Sequence, residues 1–169
     1  NHNTMKHFII SLFLLIGLSA FGQTKAEKKE AEQKAYENLK NQINNSDFQL
    51  IANWANTQRG RRINLIGTPN YLNVGKKKIK ADLPYFGVAQ MSNYNSPGGI
   101  IFELENPEVV KEFNDKKRSI VFKFSAKNGN ESFNCTLTLY KNNTATFSVF
   151  SSHRDNISYD GNITFKALE

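Results

Sequence analysis

Three groups of residues in this 169-residue chain have types and spacings that could do chemistry. The first is Ser151-Ser152-His153-Arg154-Asp155, which brings a hydroxyl, an imidazole and a carboxylate into one short stretch. Members of a nucleophile triad meet in space from separate elements, whereas neighbours in one strand-end loop point different ways. No Gly-x-Ser-x-Gly turn is present to display a serine, so the stretch reads as a polar loop. The second group is Glu103 and Glu105, alternate residues of one strand and therefore ~7 Å apart on one face. Inverting glycosidases separate their carboxyl groups by about that much. Acids two apart on an exposed strand face are ordinarily solvated, however, and neither is assigned a catalytic role. The third group is Tyr85-Phe86, held between Pro84 and Gly87, together with Arg59 and Arg61. Tethered aromatics can stack on a sugar ring or grip a peptide, and arginine grips anions with two parallel hydrogen bonds. Arg59, Arg61, Tyr85 and Phe86 are the candidate ligand-binding residues, with the polar stretch 90–99 as a lid. The competing reading of Tyr85 and Phe86 is a plug that closes one end of a curled sheet.

Metal and cofactor chemistry finds little support. Beyond the first residues the chain has one histidine, His153, and one cysteine, Cys135. A zinc site needs three or four nitrogen or sulfur ligands. No metal and no cofactor is expected, and Cys135, on an inward strand face, is expected to be inert packing.

These residues must be positioned by strands. The central stretch, Ser119 to Ser151, alternates apolar and polar residues and reads as three antiparallel strands. Asn128-Gly129 predicts a two-residue turn that pairs Phe124 with Phe133, Phe122 with Cys135 and Ile120 with Leu137. A three-residue loop, Asn142 to Thr144, then pairs Leu139 with Phe147, with an Asn in the left-handed conformation. Before this meander, Phe48, Leu50, Ala52 and Trp54 alternate with polar residues and Ile51 and suggest a first strand, with a helix the alternative for so short a stretch. A short strand follows around Ile63 to Leu65. A hairpin then pairs Leu72 with Ala81 and Val74 with Ile79 across Gly75 to Lys78. Pro84 ends that ladder. Ile100, Phe102 and Leu104 form a further strand, Val109 to Phe113 a weaker one, and Ile163, Phe165 and Ala167 a closing one. The expected class is mostly β (α+β): an antiparallel meander sheet of about eight or nine short strands, curled or sandwiched on itself to cover its dry face.

Ahead of the sheet, residues 23–45 are rich in Ala, Glu, Lys and Gln and predict one N-terminal helix. Apolar spacing begins only at Ala35, Tyr36, Leu39 and Ile43, so only its second half needs to dock. Residues 1–22 read as a secretory signal peptide: Met5-Lys6-His7, a short apolar run, then Ala20 and Gly22 at the small-residue positions, with cleavage before Gln23. That apolar run, roughly 11 residues, falls short of the ~20 a membrane-spanning helix needs. Residues 46–169 make a single domain. The chain carries a net charge of +7. Its basic excess falls between Arg59 and Lys80, where Arg59, Arg61, Arg62, Lys76, Lys77, Lys78 and Lys80 occur with no acid. Such a run suits anionic partners such as acidic glycans or lipid headgroups, although Lys76 to Lys78 also fit a solvated hairpin tip. An exported chain with no binding motif is a poor match for nucleic acid.

Several of these residues together resemble one family. Gln58-Arg59-Gly60-Arg61, Asn70-Tyr71-Leu72, Ala81-Asp82-Leu83-Pro84-Tyr85-Phe86-Gly87, Gly98-Gly99 and Lys116-Lys117-Arg118 are similar to the DUF4251 proteins, small exported proteins of Gram-negative bacteria. The resemblance spans residues 46–167 and implies a signal peptide and one mostly-β domain. It implies no activity, so it transfers no catalytic residue. The expected function is an exported binding or interaction module of the envelope for an anionic or sugar ligand, or one whose helix meets a protein partner. A hydrolase of envelope polymers and a purely structural envelope protein are the alternatives.

Overall fold

The computed structural model describes residues 24–88 and 98–166. The expected signal peptide, most of the expected 90–99 lid and Ala167 lie outside them. The chain divides into two units, residues 1–31 and 32–169. Residues 24–31 of the first are exposed throughout. Helix α1 (Lys25–Asn45) starts there and continues into the second unit from Glu32. It opens at a capping box, in which Glu27 N–H donates to Thr24 Oγ1 (3.3 Å) and Thr24 N–H donates to Glu27 Oε2 (2.8 Å).

Among the described residues of the second unit, ten strands form a single sheet: β1 (Asp47–Thr57), β2 (Arg62–Asn64), β3 (Tyr71–Val74), β4 (Lys78–Pro84), β5 (Gly99–Glu105), β6 (Val110–Asn114), β7 (Ser119–Asn128), β8 (Glu131–Tyr140), β9 (Thr144–Ser151) and β10 (Ile157–Lys166). The order is β5-β4-β3-β1-β10-β9-β8-β7-β6, with β2 paired to β1 and every pairing antiparallel. Between the two expected ways of covering the dry face, this sheet curls. Phe48 of β1 meets Phe122 of β7 edge-on at 5.7 Å, and Phe102 of β5 meets Phe124 of β7 at 6.2 Å. Asn128 Nδ2 also donates to the Ile101 carbonyl (2.9 Å), tying the two arms together at one end. Tyr36, Leu39 and Ile43, spaced for one helical face, are buried in the same core. The outer parts of that docked half are held by Lys40 to Asp115 (2.8 Å) and Arg118 to Glu32 (2.6 Å).

The β3–β4 hairpin has the expected register, Leu72 opposite Ala81 and Val74 opposite Ile79. The central meander keeps the expected inward residues but shifts by two along each pair. Phe124 faces Cys135, Phe122 faces Leu137 and Ile120 faces Leu139, because the turn centres on Gly129-Asn130. Only Gly129, the first central residue, has positive φ (+57°), the requirement of a type II′ turn. The next loop is three residues long as expected, but it is Lys141 to Asn143. Leu139 therefore faces Ala145 and Leu137 faces Phe147, with Asn143 left-handed at φ +58°.

Trp54 departs from expectation more sharply. A bulge between Ala52 and Trp54 leaves Asn53 without an opposite residue on β10 and reverses the alternation. Ala55 and Thr57 turn inward, and Trp54 turns outward. The closing strand begins earlier than expected, at Ile157, because Tyr159 and Gly161 continue the inward alternation of Ile163.

Candidate functional site

The candidate binding residues come from chain segments that meet at one end of the sheet. β4 stops at Pro84, whose carbonyl accepts from the Tyr159 hydroxyl (2.8 Å). The next residue, Tyr85, turns its ring back over Gly87, where any Cβ would collide with the phenol. The Tyr85 hydroxyl lies within donating distance of the Val88 (3.1 Å) and Asp155 (2.9 Å) carbonyls. Burial, followed by the nearby Asp155 charge, holds this phenol above its ordinary pKa, so it stays a neutral donor at physiological pH.

Arg154 lies over the Tyr85 ring, 5.1 Å from its centroid. The guanidinium grips Glu131 at both oxygens, Nε to Oε1 (2.7 Å) and Nη2 to Oε2 (2.6 Å), while Nη1 donates to the Gly99 carbonyl (3.0 Å). Both side chains of the pair are more than nine-tenths buried, at 8% and 9% exposure. Arg59 approaches Asp155, Nε to Oδ2 at 3.5 Å, and the Asp155 N–H donates to the Val88 carbonyl (3.0 Å).

Of the four residues expected from sequence, Arg59 and Tyr85 are therefore brought together through Asp155. Phe86 sits at the rim, 37% exposed, close to Val88 at 45%. Arg61 is exposed and tied by its backbone, whose N–H donates to Thr57 Oγ1 (3.1 Å). Sequence reasoning missed Glu131 and Arg154. They stand 23 positions apart, and no local pattern marks an acid and a base that pair across a turn.

The basic run does not form one patch. Arg62 stands opposite Asn56 near one end of β1, whereas the Lys76 N–H reaches Asp47 at the other. Those ends are roughly 30 Å apart at the rise of a strand. Lys78 bridges Glu103 and Glu105, and Lys80 also pairs with Glu103. Hydrogen bonds from Lys78 and then Lys80 hold the Glu103 carboxyl below its usual range. A general acid needs the opposite shift.

The Ser-His-Asp stretch assembles no triad. Ser152 Oγ meets His153 Nδ1 at 2.7 Å, but the Asp155 carboxylate is spent on Arg59. Ser151 Oγ instead donates to Glu131 and accepts from the His153 and Arg154 amides. Burial pushes the Cys135 thiol up to about 12, the state of an inert packing residue. Among the described residues no group of three His, Cys, Asp or Glu could hold a metal, and no helix is long and apolar enough to cross a membrane.

Comparison with known proteins places this architecture. A crystal structure of a DUF4251 family protein from Bacteroides eggerthii DSM 20697 superposes with a TM-score of 0.55 at 18% identity, over 80% of this chain and 91% of that one. At that identity the likeness is one of fold. No curated protein matches the chain. The family described as Domain of unknown function (DUF4251) matches residues 30–163, most of the length, and the chain belongs to that family.

Proposed function

We propose that this chain is an exported binding module of the bacterial envelope whose contact surface is the sheet end carrying Arg59, Arg61, Tyr85 and Phe86. The observation that carries the reading is the fixed Tyr85 ring, clamped between Arg154 and two backbone carbonyls. It gives a rigid base beside exposed Phe86 and Val88 and the exposed arginines 59 and 61. Preorganised aromatic surface costs little entropy on binding, and arginines at its rim favour an anionic or sugar-acid ligand. Export rests on the basic, apolar and small-residue sequence of residues 5–22.

Two measurements test this reading. The first is a thermal-shift screen of the purified protein against anionic and neutral envelope glycans at low and high salt. Ligand at ~100 times its dissociation constant adds about 2.7 kcal/mol. A shift that fades with salt and is lost in Arg59→Ala is the expected result. No shift with any anionic glycan would sink the sheet-end site and direct attention to protein contacts of the exposed residues 24–31. The second is mass spectrometry of the exported chain, which should begin at Gln23; an uncleaved leader would remove the export reading.

A further inference from the structure

The bulge in β1 has a consequence on the outer face of the sheet. Trp54, turned outward, is covered by the Arg62 guanidinium at 4.6 Å. Among the described residues the Arg62 guanidinium makes no hydrogen bond or ion pair, so its five donors are held in place by the indole and left uncommitted. Opposite Trp54 stands Asp160. Its carboxylate accepts from Asn56 Nδ2 and Thr146 Oγ1, both at 2.8 Å, which uses about half of its lone-pair sites. Arg62, Trp54 and Asp160 share a cleft of about 280 Å³ with Asn53, Asn162 and Tyr140. Tyr140, at the end of β8, presents an exposed ring at 39%.

This set differs in kind from the sheet end. One cation and one anion line a single cleft, so for a charged ligand their effects oppose each other. A neighbouring pair of hydroxyls, by contrast, can donate to Asp160 and accept from Arg62 together. Two amides able to do both, and an aromatic face for C–H contact, complete the requirements of a saccharide. Tyr140 and Asp160 lie two strands apart, roughly 10 Å at ~4.8 Å per strand, so the fit is to an oligosaccharide rather than a single sugar.

We propose that the outer face of β1, β10 and β9, flanked by Arg62 of β2 and Tyr140 at the end of β8, is a second binding site, for an uncharged oligosaccharide that stacks one ring on Tyr140 and bridges Arg62 and Asp160 with the hydroxyls of the next. The site is independent of the sheet end, and its salt response is opposite: binding should be nearly the same at low and high salt.

The test is saturation-transfer NMR and calorimetry on the whole protein with neutral tetrasaccharides of glucose, xylose, mannose and N-acetylglucosamine. Transfer to the ring protons of at least one is expected, weakened about tenfold or more by Tyr140→Ala and by Arg62→Ala. Arg59→Ala should leave it unchanged. Both substituted side chains are exposed, and an unaltered Tm confirms that the fold is retained. The idea is overturned by absence of transfer from all four sugars at millimolar concentration. It is equally overturned by transfer that survives Tyr140→Ala and Arg62→Ala, or that is lost with Arg59→Ala, which would move the sugar to the sheet end and leave the earlier reading standing.

Discussion

At the scale of single residues, the Glu131–Arg154 pair is the most consequential polar contact in the sheet end. Removing one member of a buried ion pair leaves the other desolvated without its counter-charge. Glu131→Ala is therefore expected to cost about 3 kcal/mol in chemical denaturation and to release the Tyr85 ring that Arg154 covers. The double change Glu131→Leu with Arg154→Met should recover most of that stability without restoring the arginine-stacked ring. Cys135 gives a pH prediction. Its folded pKa is raised to about 12, above the ~8.5 of an unfolded thiol. The thiol thus contributes stability that is fully present below ~8.5 and is lost as pH rises from there towards 12. Labelling by a thiol reagent at pH 8 should proceed only at the rate of unfolding, and fast labelling of the folded chain would contradict the buried placement. Arg59, Tyr85 and Phe86 could be picked out of the sequence because their types and the flanking Pro84 and Gly87 carry the signal. Glu131 and Arg154 could not, because their pairing exists only after the β7–β8 and β9–β10 turns are brought together.

At the scale of elements, the bulge in β1 organises the outer cleft and depends on two residues far from it in sequence. Asn70 serves the bulged backbone directly. Its Oδ1 accepts from the Ala52 N–H (2.7 Å), and its Nδ2 donates to the carbonyls of Ala52 (3.0 Å) and Thr68 (2.9 Å). Asn70→Ala would leave the buried Ala52 groups unsatisfied, a loss of about 2 kcal/mol measurable by denaturant titration. Gly161 lies opposite Ala52, where a Cβ would strike the Ile51 carbonyl and come within 2.8 Å of the Ala52 Cα. Backbone cannot yield as a side chain can, so Gly161→Ala should destabilise at least as much. Two stretches that mark the family resemblance thereby acquire physical roles: Asn70 holds the bulge, and Gly87 makes room for the Tyr85 ring.

At the scale of the whole sheet, the aromatic interior is what makes one curled layer sufficient. Phe102, Phe124, Phe147 and Tyr159 follow one another at ring separations of 6.2–6.4 Å. The first two steps, β5 to β7 and β7 to β9, join strands that are not hydrogen-bonded neighbours, and the third joins the paired strands β9 and β10. β1 and β10 are paired on both sides, whereas β6 is an edge with every residue exposed. Hydrogen exchange should be slowest in the centre of β1 and β10 and fast in β6 and in residues 25–31 of α1. Protection in β6 equal to that in β10 would mean that its free edge is covered in solution, by a second copy or another strand.

Sequence alone determined the class, the inward set of nearly every strand, the half of the helix that docks and the three-residue length of the β8–β9 loop, because alternation and turn chemistry are local. It could not choose between registers that differ by two residues. Both keep Phe122, Phe124, Phe133 and Cys135 inward, so periodicity gives them equal standing. The tertiary structure decides that register. Glu131 sits beside the Gly129-Asn130 turn to meet Arg154, and Asn128 reaches the Ile101 carbonyl on the other arm of the sheet. Trp54 was out of reach for the same reason. Its direction is set by a bulge that Asn70 and Gly161 permit, and neither residue is near it in the chain.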